Sequence, residues 1–159
     1  MDSRQVIAGV FAIATITSPA LAQSEPTHLA VEISAIVDAE GQVCLNLFNS
    51  SAGFPSDREK AVETQCIAII EEVSEETDAA GEPPLVATFE NLVPGSYAVS
   101  VFHDANGDNE FNRNFVGMPT EGFGFSRNPS ALVGPPEFGE AVVLVAGTET
   151  RIEIELTYF

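Results

Sequence analysis

The sequence predicts an all-β protein: an antiparallel Greek-key β-sandwich of about seven strands with one long loop excursion. Short apolar or alternating segments follow one another with turn residues between them, and the periodicity of a long helix is not evident. Many short strands separated by turns are typical of two packed sheets. The predicted strands cover residues 29–36, 43–48, 66–70, 85–90, 96–102, 141–145 and 151–156.

Three features predict how these segments are arranged. Residues 29–36 alternate between apolar and polar side chains, as in a strand with one buried face, and the turn at 38–41 makes the first two strands a hairpin. Residues 66–70 are apolar on both faces, which favours a central strand. Residues 103–139 are rich in Gly and Asn and lack periodicity, and we expect this excursion to pack on one end or face of the sandwich.

Residues 1–22 have the three-part pattern of a cleavable signal peptide. Arg4 precedes an apolar run at 6–16, and Ala20-Leu21-Ala22 supplies the small residues that signal peptidase reads. The run is shorter than the roughly 20 residues that span a bilayer, and the alternative is a buried N-terminal helix. We therefore expect a signal peptide at 1–22, a single β-sandwich domain at 23–159, and export to the periplasm or the extracellular space.

The chain is strongly acidic, with 24 acidic and 6 basic residues and a net charge of −18. Such a chain repels nucleic acid and anionic lipid, so we expect no nucleic-acid partner. After signal cleavage, no apolar run is long enough to span a membrane. The expected partner is an unknown protein or glycan of the cell envelope.

Cys44 and Cys66 are the only cysteines. In an oxidising compartment such a pair most often forms a disulfide, and the alternative is two separate buried thiols. Cys44 lies on the opposite strand face from Val43 and Leu45, so a bridge would lie off that core face.

The segment 89–101, FENLVPGSYAVSV, combines apolar anchors with a tight Pro-Gly turn. It resembles the signature of prealbumin-like sandwich modules such as the carboxypeptidase regulatory domain and collagen-binding B repeats. The resemblance implies a prealbumin/immunoglobulin-like fold and implies no activity. The residues predicted to face the core are Phe89, Leu92, Tyr97, Val99 and Val101.

Residues 103–114, HDANGDNEFNRN, contain the D-x-[DN]-x-[DN] pattern of a calcium loop. Calcium takes six to eight oxygen ligands, which short Asp and Asn side chains at alternate positions can supply. Phe115 stands where a bidentate Glu is usual and Asn109 where Gly is usual, so another acid must complete the shell. The predicted calcium ligands are Asp104, Asn106, Asp108, Glu110 through its carbonyl, Asn112 and Glu121.

The alternative for this loop is a set of Asx turns in which the side chains cap their own backbone. If the loop binds no cation, replacing Asp104 or Asp108 with alanine is expected to cost no more than an ordinary turn mutation.

In residues 114–129, glycines interleave with Phe115, Phe123 and Phe125. The aromatic rings either form a flat ligand surface or pack on the core while the glycines permit bends. The candidate ligand-surface residues are His103, Phe123, Phe125 and Ser126.

The order HDxNGD followed by GxPxEGxGFS, at 103–108 and 117–126, resembles the bacterial family called domain of unknown function 2141. The resemblance extends from the first strand to Leu156-Thr157-Tyr158. It implies an exported β-sandwich protein of Gram-negative bacteria and implies no activity.

Catalysis has weak support in the sequence. His103, Asp104 and Ser126 are the residue types of a hydrolase triad, but a G-x-S-x-G elbow is missing. Asp104 and Glu121 would act as a glycosidase pair only at the right separation. We therefore expect a non-enzymatic, exported binding module that calcium stabilises. The alternatives are a structural or accessory envelope protein that binds a protein partner, and a hydrolase.

Overall fold

The computed structural model describes residues 25–37, 40–69, 84–131 and 134–159. The predicted signal peptide lies outside the described residues. Within them, no helix is long and apolar enough to cross a membrane. The helical segments are a 3-10 helix at Arg58–Lys60 and α1 at Phe138–Ala141. The strands are β1 Thr27–Ser34, β2 Gln42–Phe48, β3 Glu63–Ala68, β4 Leu85–Leu92, β5 Gly95–Asp104, β6 Phe123–Phe125, β7 Val143–Val145 and β8 Glu149–Glu155.

The strands form two sheets, which confirms the predicted β-sandwich. One sheet has the order β4-β1-β8. The other has the order β3-β2-β5-β6, and β7 also pairs with β5. Apolar residues from both sheets form a shared core between them, which we call the first core. Each predicted strand overlaps an observed one, although residue 141 ends α1 rather than starting a strand.

The predicted pairing of the first two strands was wrong. The first two strands do not form a hairpin, because β1 pairs with β4 and β8 while β2 pairs with β3 and β5. The chain therefore passes from one sheet to the other between β1 and β2. The pairing of β1 with β8 is parallel, a departure from the antiparallel prediction. Parallel neighbours need a long connection, and here most of the domain lies between them.

The strand predicted to be central, at residues 66–70, is instead the edge strand β3. Residue 70 lies outside the described part. The apolar residues where the predicted segment overlaps β3 lie on opposite faces: Ile67 packs against the first core, and Cys66 packs against a second cluster on the other side of the sheet.

β2 and β5 occupy the central positions, and both faces of each are buried. In β2, Val43, Leu45 and Leu47 belong to the first core. Cys44 points to the opposite face and joins a second buried cluster with Ala98 and Phe102 of β5. This second cluster exists because the long excursion covers the outer face of the five-stranded sheet.

The Pro-Gly motif has its predicted place in the core. The five residues predicted to face inward are all buried in the first core: Phe89, Leu92, Tyr97, Val99 and Val101. The Tyr97 hydroxyl donates a hydrogen bond of 2.8 Å to the Val93 carbonyl and braces the turn between β4 and β5. The resemblance of this motif to prealbumin-like modules stays a prediction.

Cys44 and Cys66 form a disulfide, as predicted. They are register partners on β2 and β3. The bridge lies in the second cluster, off the first-core face, as the alternation along β2 requires.

Candidate ligand cavity

The excursion after β5 folds back onto the outer face of the five-stranded sheet, as expected. β6 pairs with residues 100–102 of β5 and extends the sheet. Phe123 and Phe125 of β6 then pack with Phe102 and with Ala141 of α1. The excursion thus provides one wall of a cavity and the sheet provides its floor.

Phenylalanines dominate this region. Eight of the chain's eleven form one continuous set of ring contacts, with centroid separations from 5.4 to 6.1 Å. Most pairs are edge-on or tilted, the geometry that the ring quadrupole favours. The eight are Phe48, Phe54, Phe102, Phe111, Phe123, Phe125, Phe138 and Phe159.

A cavity of about 720 Å³ lies against these rings. Its walls come from the sheet, the 3-10 helix, residues 109–119 and the three residues Ala131, Gly134 and Pro135. This volume is within the range of small-molecule sites, which are mostly apolar with a few placed polar groups. The aromatic lining is Phe102, Phe111, Phe123, Phe125 and Phe159; the polar lining includes Asn46, Ser100, Arg58 and Arg113.

Asn46 borders the cavity with an unsatisfied oxygen. Only 3% of the residue is exposed, and its Nδ2 donates a 3.3 Å hydrogen bond to the Ser100 hydroxyl. That hydroxyl donates to the Pro55 carbonyl at 2.7 Å, so reversing the Asn46 amide would not give its oxygen a donor. Oδ1 of Asn46 is buried and has no hydrogen-bond partner in the described part of the chain, which costs about 1–3 kcal/mol.

Two arginines lie over aromatic rings at the same cavity. Cζ of Arg58 is 6.0 Å from the Phe102 centroid, and its Nη1 donates to the Asn109 carbonyl at 2.8 Å. Cζ of Arg113 is 4.9 Å from the Phe111 centroid, and its Nη1 donates to the carbonyl of residue 117 at 3.1 Å. Both guanidinium groups are therefore held against the rings by backbone contacts.

The loop that follows β5 is organised by the fully buried carboxylate of Asp104. Oδ1 accepts hydrogen bonds from the amides of Gly107 and Asp108, at 2.8 and 3.1 Å. Oδ2 accepts from the Asn109 amide at 2.9 Å and from Gln42 Nε2 at 2.7 Å. A carboxylate has about four lone-pair positions, so these bonds occupy all of them. The three bonds from loop amides are those that the Asx-turn alternative predicts for this loop.

The exposed part of the loop gathers around Asp108. Hydrogen bonds from the Asn112 side chain, the Glu110 amide and the Asn106 side chain lower the pKa of Asp108. Within the described residues, no group of three or more His, Cys, Asp or Glu side chains is arranged to hold a metal ion. The predicted calcium site stays a prediction.

Glu121 lies beside this loop and accepts a 2.9 Å hydrogen bond from the Asn112 amide. Burial raises the pKa of Glu121, and repulsion from Asp104 and Asp108 adds to the increase. The sequence-predicted acids are therefore close enough to repel one another.

His103 and Ser126 are buried and hold the fold together. The His103 ring nitrogens lie 3.0 Å from the Tyr158 hydroxyl and 2.8 Å from the Glu40 carbonyl. The Ser126 hydroxyl accepts from the Val99 amide at 2.9 Å and donates to the carbonyl of residue 141. Val99 and His103 are four residues apart on β5, which is about 13 Å. The two side chains therefore form no nucleophile–base pair, and neither lines the cavity.

The phenylalanines and glycines of the excursion serve different purposes. Phe123 and Phe125 are buried and also line the cavity, whereas Phe115 is 100% exposed at a turn tip. A partner protein docking on this segment would meet Phe115 first. Gly124 provides space rather than a bend, because a Cβ there would lie 2.7 Å from Ile154 Cγ2.

Sequence reasoning missed most of the residues that line the cavity, among them Asn46, Arg58 and Arg113. Two signals were available. Seven of the chain's eleven phenylalanines follow residue 101, and five of these seven lie at 103–139, outside the predicted strands. Asn46 also interrupts a strand that is otherwise apolar on both faces.

The fold and the cavity define a class of protein: a two-sheet β-sandwich whose larger sheet carries an aromatic cavity on its outer face. Residues 31–153 match the family described as an uncharacterized protein conserved in bacteria, DUF2141, and the chain belongs to that family. No curated protein and no solved structure matches the chain.

Proposed function

We propose that the protein is a non-catalytic, exported binding module that takes up a small, largely apolar ligand in the aromatic cavity. The observation that carries this proposal is the cavity itself, with five phenylalanines on its walls and the unpartnered Asn46 oxygen beside it. Burying apolar ligand surface against these rings would supply the binding energy, at about 25 cal/mol per Å².

The shape and lining of this space support a binding role over a purely structural one. It is partly open to solvent, and small-molecule sites are concave, mostly apolar clefts with a few placed polar groups. Export rests on the pattern at residues 1–22, and the disulfide is compatible with an oxidising compartment.

Filling the cavity should abolish uptake of a neutral apolar probe. Ala131 is half-buried, packs on the second cluster and lines the cavity, so Ala131→Trp would place an indole in the space. We expect the wild type, from residue 23 onward, to enhance the fluorescence of N-phenyl-1-naphthylamine with saturation. The variant should bind it at least about tenfold more weakly, since it loses most of the buried probe surface.

The matched control is Val86→Trp, which adds the same ring to an exposed position on β4, in the other sheet. It should bind the probe like the wild type. Absence of saturable binding by the wild type, or equal binding by both tryptophan variants, would contradict a ligand site in this cavity.

Calcium stabilisation of the loop at 104–112 is the second part of the proposal, and the raised pKa of Glu121 favours it. The repulsion from Asp104 and Asp108 that contributes to this shift is the kind that a divalent cation offsets. Calcium at about 100 times its Kd should add roughly 2.7 kcal/mol and raise the melting temperature by several degrees.

Asp108 is the residue to replace in this melting experiment, because its side chain is exposed. Asp104 is buried and accepts hydrogen bonds that hold the loop together. Asp108→Asn should keep the fold and remove most of the calcium-dependent shift. Identical melting of the wild type in calcium and in chelator would leave the loop as hydrogen-bonded turns alone.

A further inference from the structure

Arg58 and Arg113, the two arginines that line the cavity, differ from Lys60 and Arg151 in their contacts. With 24 acidic and 6 basic residues, a surface arginine of this chain has acids in excess to pair with. Lys60 and Arg151 do form ion pairs with neighbouring carboxylates. Among the described residues, Arg58 and Arg113 form none; Arg127 forms none either, but it does not line the cavity.

Arg58 and Arg113 instead belong to a continuous ladder of rings and cations. Arg58 lies over Phe102, Phe102 contacts Phe111 with centroids 5.8 Å apart, and Arg113 lies over Phe111. All four residues line the cavity. The ladder therefore places two cationic groups beside the aromatic surface that an apolar ligand would contact.

We propose that this ladder recognises a carboxylate, so that the ligand is an amphiphile with an apolar body and one carboxylate group. This inference rests on the proposed function and adds the class of ligand. A guanidinium has five N–H donors, and each arginine gives one of its Nη1 hydrogens to a backbone carbonyl. The remaining donors can meet a carboxylate in charge-assisted hydrogen bonds, which are about twice as strong as neutral ones.

The acids at the cavity oppose the binding of any anion. Asp57, Glu59 and Glu110 also line it, and of these three only Asp57 has a basic partner, Lys60 at 3.1 Å. Their repulsion and the attraction of the two arginines both grow in proportion to the charge of the ligand. Recognition of a carboxylate therefore depends on the short, charge-assisted hydrogen bonds that the arginines can donate.

The test compares two probes that differ only in the head group, 4-phenylbutyrate and 4-phenylbutan-1-ol, by calorimetry at pH 7 and constant ionic strength. We expect the wild type to bind the carboxylate about tenfold more tightly than the alcohol. Arg58→Gln and Arg113→Gln should each reduce that ratio several-fold. Because Arg113 is exposed, its variant keeps the test valid if loss of Arg58 impairs folding.

Arg127→Gln is the matched control, since it removes the same charge outside the cavity and should keep the tenfold ratio. Equal affinity for the two probes, a ratio that survives both arginine variants, or an equal loss in Arg127→Gln would each overturn carboxylate recognition. If the alcohol and N-phenyl-1-naphthylamine still bind in those cases, the proposed cavity function stands. If no probe binds, both proposals fail.

Discussion

Replacing Asp104 with alanine is expected to lower the free energy of unfolding by about 3 kcal/mol, even in the presence of a chelator. The carboxylate is fully buried and accepts four hydrogen bonds, three of them from consecutive loop amides. Removing it leaves those amides and the Gln42 side chain without their acceptor. Urea denaturation of both proteins at neutral pH measures the loss.

Asp108→Ala is the control for this experiment, because it removes a carboxylate of the same loop from an exposed position. It should cost no more than about 1 kcal/mol. The buried position of Asp104 therefore changes the expectation that either substitution would behave as an ordinary turn mutation. A loss of less than about 1 kcal/mol for Asp104→Ala would show that its carboxylate does not support the loop.

Loss of the Cys44–Cys66 disulfide should have a similar effect on stability. The two cysteines are 22 residues apart, and a cross-link of that span restricts the unfolded chain by about 3 kcal/mol. The Cys66 sulfur also lies 3.8 Å from Nη2 of Arg58 and 3.7 Å from Oδ1 of Asn109. We therefore expect the variant Cys44→Ala/Cys66→Ala to melt about 10 °C lower and to bind ligand more weakly.

Reducing the disulfide of the wild type tests the effect of the cross-link alone, because the reduced protein keeps both sulfur atoms. It should show most of the loss in melting temperature. If reduction lowers the melting temperature by less than about 2 °C, the bridge contributes little, and any loss in the double alanine variant would come from the missing buried side chains.

Stability and binding are linked in this architecture through the excursion. Asp104 organises the loop whose Asn109 carbonyl holds Arg58, and Arg58 in turn contacts the disulfide. A change at Asp104 should therefore loosen the cavity wall as well as the loop, although Asp104 does not itself line the cavity. Affinity for the carboxylate probe is expected to fall in parallel with stability in such variants.

The existence of most strands could be predicted because their signal is local. In β8, Ile152 and Ile154 alternate with charged residues, and a period of two is readable without any partner strand. The alternation of Val43, Cys44 and Leu45 likewise predicted that a bridge would lie off the first core. The missed strand β6 has three residues, too few for any periodicity to be seen.

The pairing of strands and the site could not be predicted in the same way. The turn after β1 has ordinary hairpin chemistry, yet β1 pairs with β8, more than a hundred residues later. The edge position of β3 depends on which strands lie beside β2. The apolar pattern of β3 contains no information about those neighbours. In the excursion, Phe115 and Phe123 both lie close to glycines along the chain, but one is fully exposed and the other is buried.

Local pattern was thus sufficient for the sandwich class, the core residues of the Pro-Gly motif and the pairing of two cysteines, because each depends on residue type and spacing along the chain. The cavity depends on contacts between distant segments. Phe102 on β5, Phe111 in the loop and Phe159 at the C-terminus meet at one cavity only after the excursion covers the outer face of the sheet. The same folding step buries Asp104 and brings four hydrogen-bond donors to its carboxylate, a setting that its position in the sequence does not show.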